Sequence, residues 1–359
     1  MNKNNNDYKY LIIGNQGVNK IQIFKFILTS QKVMIENNDL IWESPETKFM
    51  AEVKPVIYRG KKSVMSITEN GVIIYALTNN KEVLFHKEIS GYKTNIHSAL
   101  PLPDGNVVIA DSKGWVGLLL HEGDNVKQNS GDTQWSALTY AHSVVYDHTN
   151  KKIYAGGYTS INKYSYHVIS GKAKLKLEAT YDIKDYYLRC KEYNFCNEDP
   201  IWEDGIHDMY QVYGEQSHLF FLSTGERVFL FDLSKLNDLN SDKITLDKFN
   251  PFYEIDSKKS REIMPVAKKE KIILKKGGVK SISGNIDEKK FFVIAHSAPW
   301  FTDKVSYPYL GNKLIYSTNI KDTIDFDLTD KNKIEFDTSL NMFFYKARLI
   351  DENWIDFSC

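Results

Sequence analysis

Asn95–Ser112 reads NIHSALPLPDGNVVIADS: an imidazole opens a short apolar run, Pro103-Asp104-Gly105 turns the chain, and a second apolar run ends in small polar residues. Pro, Asp and Gly in that order favour a tight reversal, so the stretch predicts two antiparallel strands. The opening phrase, Ile96-His97-Ser98-Ala99-Leu100, has five relatives along the chain. They are Val53-Lys54-Pro55-Val56-Ile57, Ala141-His142-Ser143-Val144-Val145, Ile206-His207-Asp208-Met209-Tyr210, Val279-Lys280-Ser281-Ile282 and Tyr345-Lys346-Ala347-Arg348-Leu349. One Lys or His opens every copy. Repetition of one supersecondary unit predicts a repeat architecture.

Each unit continues in the same way. Second strands are expected at Lys62–Asn70, Asn106–Ser112, Lys152–Gly157, His218–Thr224 and Lys290–Ser297, and Tyr10–Gln16 has the same character. Third strands follow at Ile21–Phe26, Val72–Leu77, Trp115–Leu120 and Val228–Leu233, and fourth strands at Glu82–His86, Leu175–Tyr181 and Ile334–Phe336. Four strands per unit is the blade of a β-propeller. The expected fold is therefore all-β, a six-bladed propeller forming one domain over residues 1–359. The N-terminus lacks a phrase-bearing strand and the sixth phrase stands near the C-terminus. Phe344–Ile350 is thus expected to pair with Tyr10–Gln16 and close the ring without an open sheet edge. Asp182–Gly205 and Leu236–Lys276 read as insertions, and Trp354–Cys359 has no place in the scheme.

Twenty-two Tyr and nineteen Phe among 359 residues suit a sheet-rich body. The formal net charge is zero, so nothing in the overall balance calls for nucleic acid or an anionic membrane surface. Met1–Asp7 has no apolar core of a signal peptide, and no apolar run is long enough to span a bilayer. Cys190 and Cys196 lie six residues apart in an insertion, and either a small loop disulfide or two free thiols fits that spacing.

The segments NIHSALPLPDGNVVIADS, AHSVVYD, DGIHDMYQVYG and FYKARLI resemble a family of six-bladed β-propellers of unknown function from Bacteroides-type bacteria. The resemblance implies the fold and an exported setting, in the periplasm or at the cell surface as a lipoprotein whose signal is absent from this sequence. It implies no activity.

Function is therefore read from the residues. The first residue of an innermost strand sits near one mouth of a propeller channel, where small-molecule sites favour convergent side chains. Lys54, His97, His142, His207, Lys280 and Lys346 are expected to converge there on one solvent-connected pocket. Loops should bring Asn15, Gln16, Glu69, Asp111, Tyr158, Glu226, His296 and Trp300 to its rim. Three readings compete. His97, His142 and His207 can hold a divalent transition metal, although the lysines would repel it. The ring can instead bind an anion, an acidic oligosaccharide above all, with Trp135, Trp202, Trp300 and Tyr186–Tyr187 as platforms for sugar rings. Or the repeated residues solve one packing problem in every blade.

Desolvation and mutual repulsion are expected to keep some of the histidines neutral near pH 7. A neutral His142 or His207 can serve as general base in a β-elimination, with Lys280, Lys346 or a metal stabilising the enolate. Glu198, Asp199, Glu203 and Asp204 offer carboxylates for hydrolysis, or form a solvated acidic loop. Ser98, Ser143, Ser281 and Asp208 alternate away from the ring and are expected to bond between blades. Acidic-glycan binder, metal-assisted polysaccharide lyase and protein-interaction scaffold all remain, each as a monomer.

Overall fold

The computed structural model describes residues 8–27, 33–89, 94–122, 135–158, 160–169, 172–182, 205–212, 219–224, 228–233, 252–254, 264–265, 279–285, 292–297, 313–317 and 333–350. These residues form an all-β structure of successive antiparallel sheets, several of them four-stranded, as in a propeller. The first sheet runs Ala347–Ile350, Tyr8–Asn15, Lys20–Ile27, Leu40–Glu43. The second runs Val53–Tyr58, Lys61–Ile67, Gly71–Ala76, Val83–Glu88, and the third Ile96–Pro101, Val107–Asp111, Trp115–Leu119, Trp135–Ala137. The fourth comprises Ser143–Asp147, Lys152–Gly156, Ser160–Ile169 and Lys172–Asp182. The fifth begins with Ile206–Gln211, Leu219–Thr224 and Val228–Asp232, then adds Phe252–Glu254 and Met264–Pro265. The sixth comprises Val279–Asn285, Phe292–Ser297, Lys313–Ser317, Lys333–Phe336 and Val33–Ile35.

The phrase-bearing strands thus open their sheets. Inner strands are buried on both faces, which is why Val107–Asp111 and Gly71–Ala76 read as continuous apolar runs. Apolar clusters fill the gaps between neighbouring sheets. Tyr58, Met65 and Ile74 of the second pack with Ala99 and Ile109 of the third, and Val108 and Val116 of the third with Val144 and Tyr164 of the fourth. Turn chemistry holds locally: Arg59 (φ 49°) and Gly60 (φ 81°) form the two-residue left-handed loop that matches the twist of a tight hairpin.

Two pairings join the ends of the chain. Ala347–Ile350 pairs antiparallel with Tyr10–Ile13, shorter than the expected Phe344–Ile350 with Tyr10–Gln16. The second pairing has no counterpart in the sequence reading. Val33–Ile35 leaves the first sheet between two of its strands and adds, in parallel, to the outer edge Lys333–Phe336 of the sixth. Val33 and Ile35 point into the cluster between the two sheets while Met34 faces solvent, the alternation of a half-buried edge strand.

Of the expected insertion Leu236–Lys276, Phe252–Glu254 and Met264–Pro265 are strands of the fifth sheet; its other residues, residues 183–204 of the insertion Asp182–Gly205 with cysteines 190 and 196, and Trp354–Cys359 lie outside the described residues.

Candidate functional site

The site grows from the first strands of the sheets, which pack against one another in succession: Val53–Tyr58, Ile96–Pro101, Ser143–Asp147, Ile206–Gln211, Val279–Asn285, then Ala347–Ile350, which also packs on Val53–Tyr58. Side chains stitch these strands together. Ser98 Oγ accepts from the Val144 amide at 3.2 Å, Ser281 Oγ from the Ala347 amide at 3.2 Å, and Asp208 Oδ2 from the Ile282 amide at 3.2 Å. Glu52, two residues before Lys54, accepts from the Ala99 amide at 3.2 Å in the same manner. Ser98, Ser281 and Asp208 therefore bond between sheets. Ser143 differs: its buried hydroxyl has no partner among the described residues.

The six basic positions come together as one contact chain, but as a largely buried cluster rather than a solvated ring. Lys54, His142, His207 and Lys346 are buried, while His97 and Lys280 are half-buried. The reason is a charge network that residue-type counting overlooked. Arg348 is fully buried, with Nη1 2.5 Å from Asp208 Oδ2 and Nη2 2.6 Å from Asp208 Oδ1 and 2.9 Å from Glu52 Oε1. Lys346 Nζ lies 3.3 Å from Asp208 Oδ1 and 3.7 Å from Glu52 Oε1, and donates to the His97 carbonyl at 3.2 Å. Lys54 Nζ sits 3.0 Å from Glu52 Oε2 and 3.4 Å from Ser98 Oγ. One strand, Ala347–Ile350 with the preceding Lys346, thereby ties residues of the second, third and fifth sheets.

Above this layer the imidazoles form a column. His97 and His142 stack at 4.0 Å between centroids, His142 lies 3.8 Å from Tyr140, and His207 meets His142 edge-on at 5.5 Å. Lys280 Nζ stands 3.4 Å from His207 Nε2 and 5.6 Å from the centre of the Tyr345 ring. Since Lys280 can only donate there, His207 carries its proton on Nδ1, and that buried N–H has no partner among the described residues. His97 Nδ1 and Arg348 Nε are likewise buried without one.

Burial depresses all three imidazoles. His97 falls to about 3, through desolvation first and then Lys346 and Lys280. His142 and His207 fall well below 6.5, through desolvation and then, respectively, the neighbouring histidines and Lys280. Burial alone would raise Glu52, but Lys54, Lys346 and Arg348 hold its carboxyl far below the usual range. Lys54 is lowered by burial, with Glu52 opposing. The expectation of neutral histidines agrees with this environment.

The metal triad does not form. His207 Nε2 faces Lys280, His142 Nδ1 is 3.0 Å from the Tyr140 carbonyl, and among the described residues no three His, Cys, Asp or Glu side chains are placed to hold one ion. Two expected rim residues are also elsewhere. Asn15 is buried and donates to Gln22 Oε1 and the Leu340 carbonyl, and buried Asp111 accepts from the Asn95 and Lys113 amides. Both cap turns, which short polar side chains do by bonding nearby backbone. Trp135 packs beside the cluster between the second and third sheets. Trp300, Trp202, Tyr186, Tyr187, Glu226 and the four loop carboxylates lie outside the described residues, as does the side chain of His296.

An all-β repeat fold of propeller type, with a polar cluster where its first strands meet, is the class these features define. The chain belongs to a family of unknown function, DUF6528, whose profile matches residues 47–247, more than half of its length. No curated protein matches the sequence. Among solved structures it is similar to one from Bacteroides uniformis assigned provisionally as a 6-phosphogluconolactonase, at 13% identity and a TM-score of 0.51, with 96% of this chain and all of that one covered. It also matches the extracellular domain of a provisionally assigned one-component system from B. thetaiotaomicron, at 13% identity and a TM-score of 0.41. That match covers 80% of this chain but only 30% of the other. Likeness at such identity concerns the fold alone.

Proposed function

We propose that residues 1–359 form one six-bladed β-propeller, closed where the C-terminal strand joins the first sheet, and that it is an exported protein binding an anionic ligand, an acidic glycan, at the His/Lys cluster. The closed succession of first strands and the pairing of Ala347–Ile350 with Tyr10–Ile13 support the ring. One observation carries the ligand class: within the cluster, three buried cations, Lys54, Lys346 and Arg348, stand against two buried carboxylates, Glu52 and Asp208, while Asp111 and Asp147, the other buried carboxylates among the described residues, accept from the amides of their own turns. An excess of buried positive charge is costly unless something compensates it. Lys280 adds a further cation at the half-buried side, against His207 Nε2. A carboxylate supplies the missing charge.

The test is calorimetric titration with polygalacturonate, a sulfated glycan and a neutral glycan. Binding of the acidic polymers alone, weakened at least tenfold in Lys280→Ala, is the expected result. Equal binding of the neutral glycan, or an unchanged Lys280→Ala variant, would overturn it. Lys346 is unsuited to this test because its removal breaks the buried network.

A second reading, β-elimination, is favoured by His142: its Nδ1 is engaged with the Tyr140 carbonyl, which leaves Nε2 as the basic nitrogen of a neutral imidazole. Release of unsaturated uronate, followed by ultraviolet absorbance, distinguishes a lyase from a binder.

A further inference from the structure

Tyr140 is one of the few non-glycine residues with a left-handed backbone, at φ 57°. For a bulky aromatic this conformation costs on the order of 1–3 kcal/mol and survives only where the surroundings over-determine it. Those surroundings are specific. A Cβ at Gly205 would lie 2.8 Å from Tyr140 Cδ1 and 3.3 Å from Tyr158 Cδ2, so glycine is what leaves the ring its place. A Cβ at Gly157 would come 2.6 Å from the Thr139 carbonyl, which accepts from the Tyr158 amide at 2.8 Å. Segments of the fourth and fifth sheets are thus shaped around this one turn.

A ring held at such cost for packing alone would be expected in the core. Tyr140 is instead half-buried. It lies 3.8 Å from the His142 centroid and 6.3 Å from that of His207, directly beside the cluster with the excess positive charge. Burial pushes its hydroxyl up to about 12, so the phenol stays neutral and keeps a donor.

We propose that Tyr140 is the platform on which the ring of an acidic sugar lies, with the sugar's carboxylate turned to Lys280. This rests on the anion-binding reading and narrows it to a pyranose uronate. Such a sugar has an apolar C–H face for the aromatic ring and one carboxylate for the cationic floor. An inorganic anion offers only the second.

Trigalacturonate and acetate separate the two contributions, titrated against the full chain by ligand-observed NMR. Lys280→Ala should weaken both ligands. Tyr140→Asn, which tolerates the left-handed backbone, should weaken trigalacturonate at least tenfold, leave acetate within twofold, and keep the melting midpoint at or above that of the unaltered protein. Gly205→Ala, which drives a methyl into the Tyr140 ring, should repeat the selective loss, and it decides the matter if Tyr140→Asn does not fold. If Tyr140→Asn binds trigalacturonate as before, or loses both ligands equally, the platform is wrong while the anion site stands. If neither ligand binds the unaltered protein, the anion reading fails and the platform with it.

Discussion

Arg348 and Asp208 meet fork to fork in the interior, two guanidinium nitrogens on two carboxylate oxygens at 2.5 and 2.6 Å, although 140 residues separate them in the chain. Arg348 belongs to the last strand of the first sheet and Asp208 to the first strand of the fifth. The planar guanidinium also lies 4.3 Å from the centre of the Tyr210 ring and reaches Glu52 with its second nitrogen. Lysine cannot reproduce this fork.

Arg348→Lys and Arg348→Ala should therefore both destabilise, the alanine variant by about 3–5 kcal/mol, because buried Asp208 loses its main partner and Glu52 one of its three cations. Urea denaturation reads this directly. A loss below about 1 kcal/mol would mean that water reaches Asp208 and Glu52.

Acid should destabilise the fold earlier than carboxylate protonation alone predicts. Folded His97, His142 and His207 have depressed values, so below 6.5 the unfolded chain binds protons that the folded one refuses. Their contribution is complete above 6.5 and is lost as the pH falls toward the folded values, at up to about 1.4 kcal/mol per pH unit for each histidine. Glu52, also depressed, steepens the loss below 4.5. Urea midpoints should fall between pH 7 and 5, and less steeply in His142→Gln. A midpoint flat over that range would contradict the buried, neutral column.

The outer clasp should contribute to global stability. Ile35 is fully buried among Leu314, Ile334 and Phe344, so Ile35→Ala should cost about 2–5 kcal/mol, while Met34→Ala at its exposed neighbour should cost little. Equal, small effects at both positions would show that the strand does not dock on the sixth sheet.

Much of the fold was legible because a strand period of two and tight-turn residues are local signals. The expected fourth strand at Glu82–His86 appears as Val83–Glu88, and that at Leu175–Tyr181 as Lys172–Asp182. The site was legible in its basic members and not in its charge balance. Glu52 and Lys54, like Lys346 and Arg348, stand two apart and so share a strand face. That spacing is a usable signal, but neither Glu52 nor Arg348 occupies the repeated position, so counting by repeats passed over them. Burial of the cluster follows from partners hundreds of residues away, and Tyr140 owes its conformation to Gly205 and Gly157 in other segments. Val33–Ile35 is too short to announce a partner.

The clasp also bears on the order of synthesis. Residues 8–35 leave the ribosome long before their partners, so their sheet stays without its inner strand until Ala347–Ile350 emerges, and Val33–Ile35 has nowhere to dock before Lys333–Phe336 does. Glu52 precedes its partner Arg348 by 296 residues and Asp208 by 140, and both also wait for Lys346. The nascent chain must therefore carry two carboxylates destined for the interior in water while the intervening residues are made, and it can bury them only when Lys346 and Arg348 arrive.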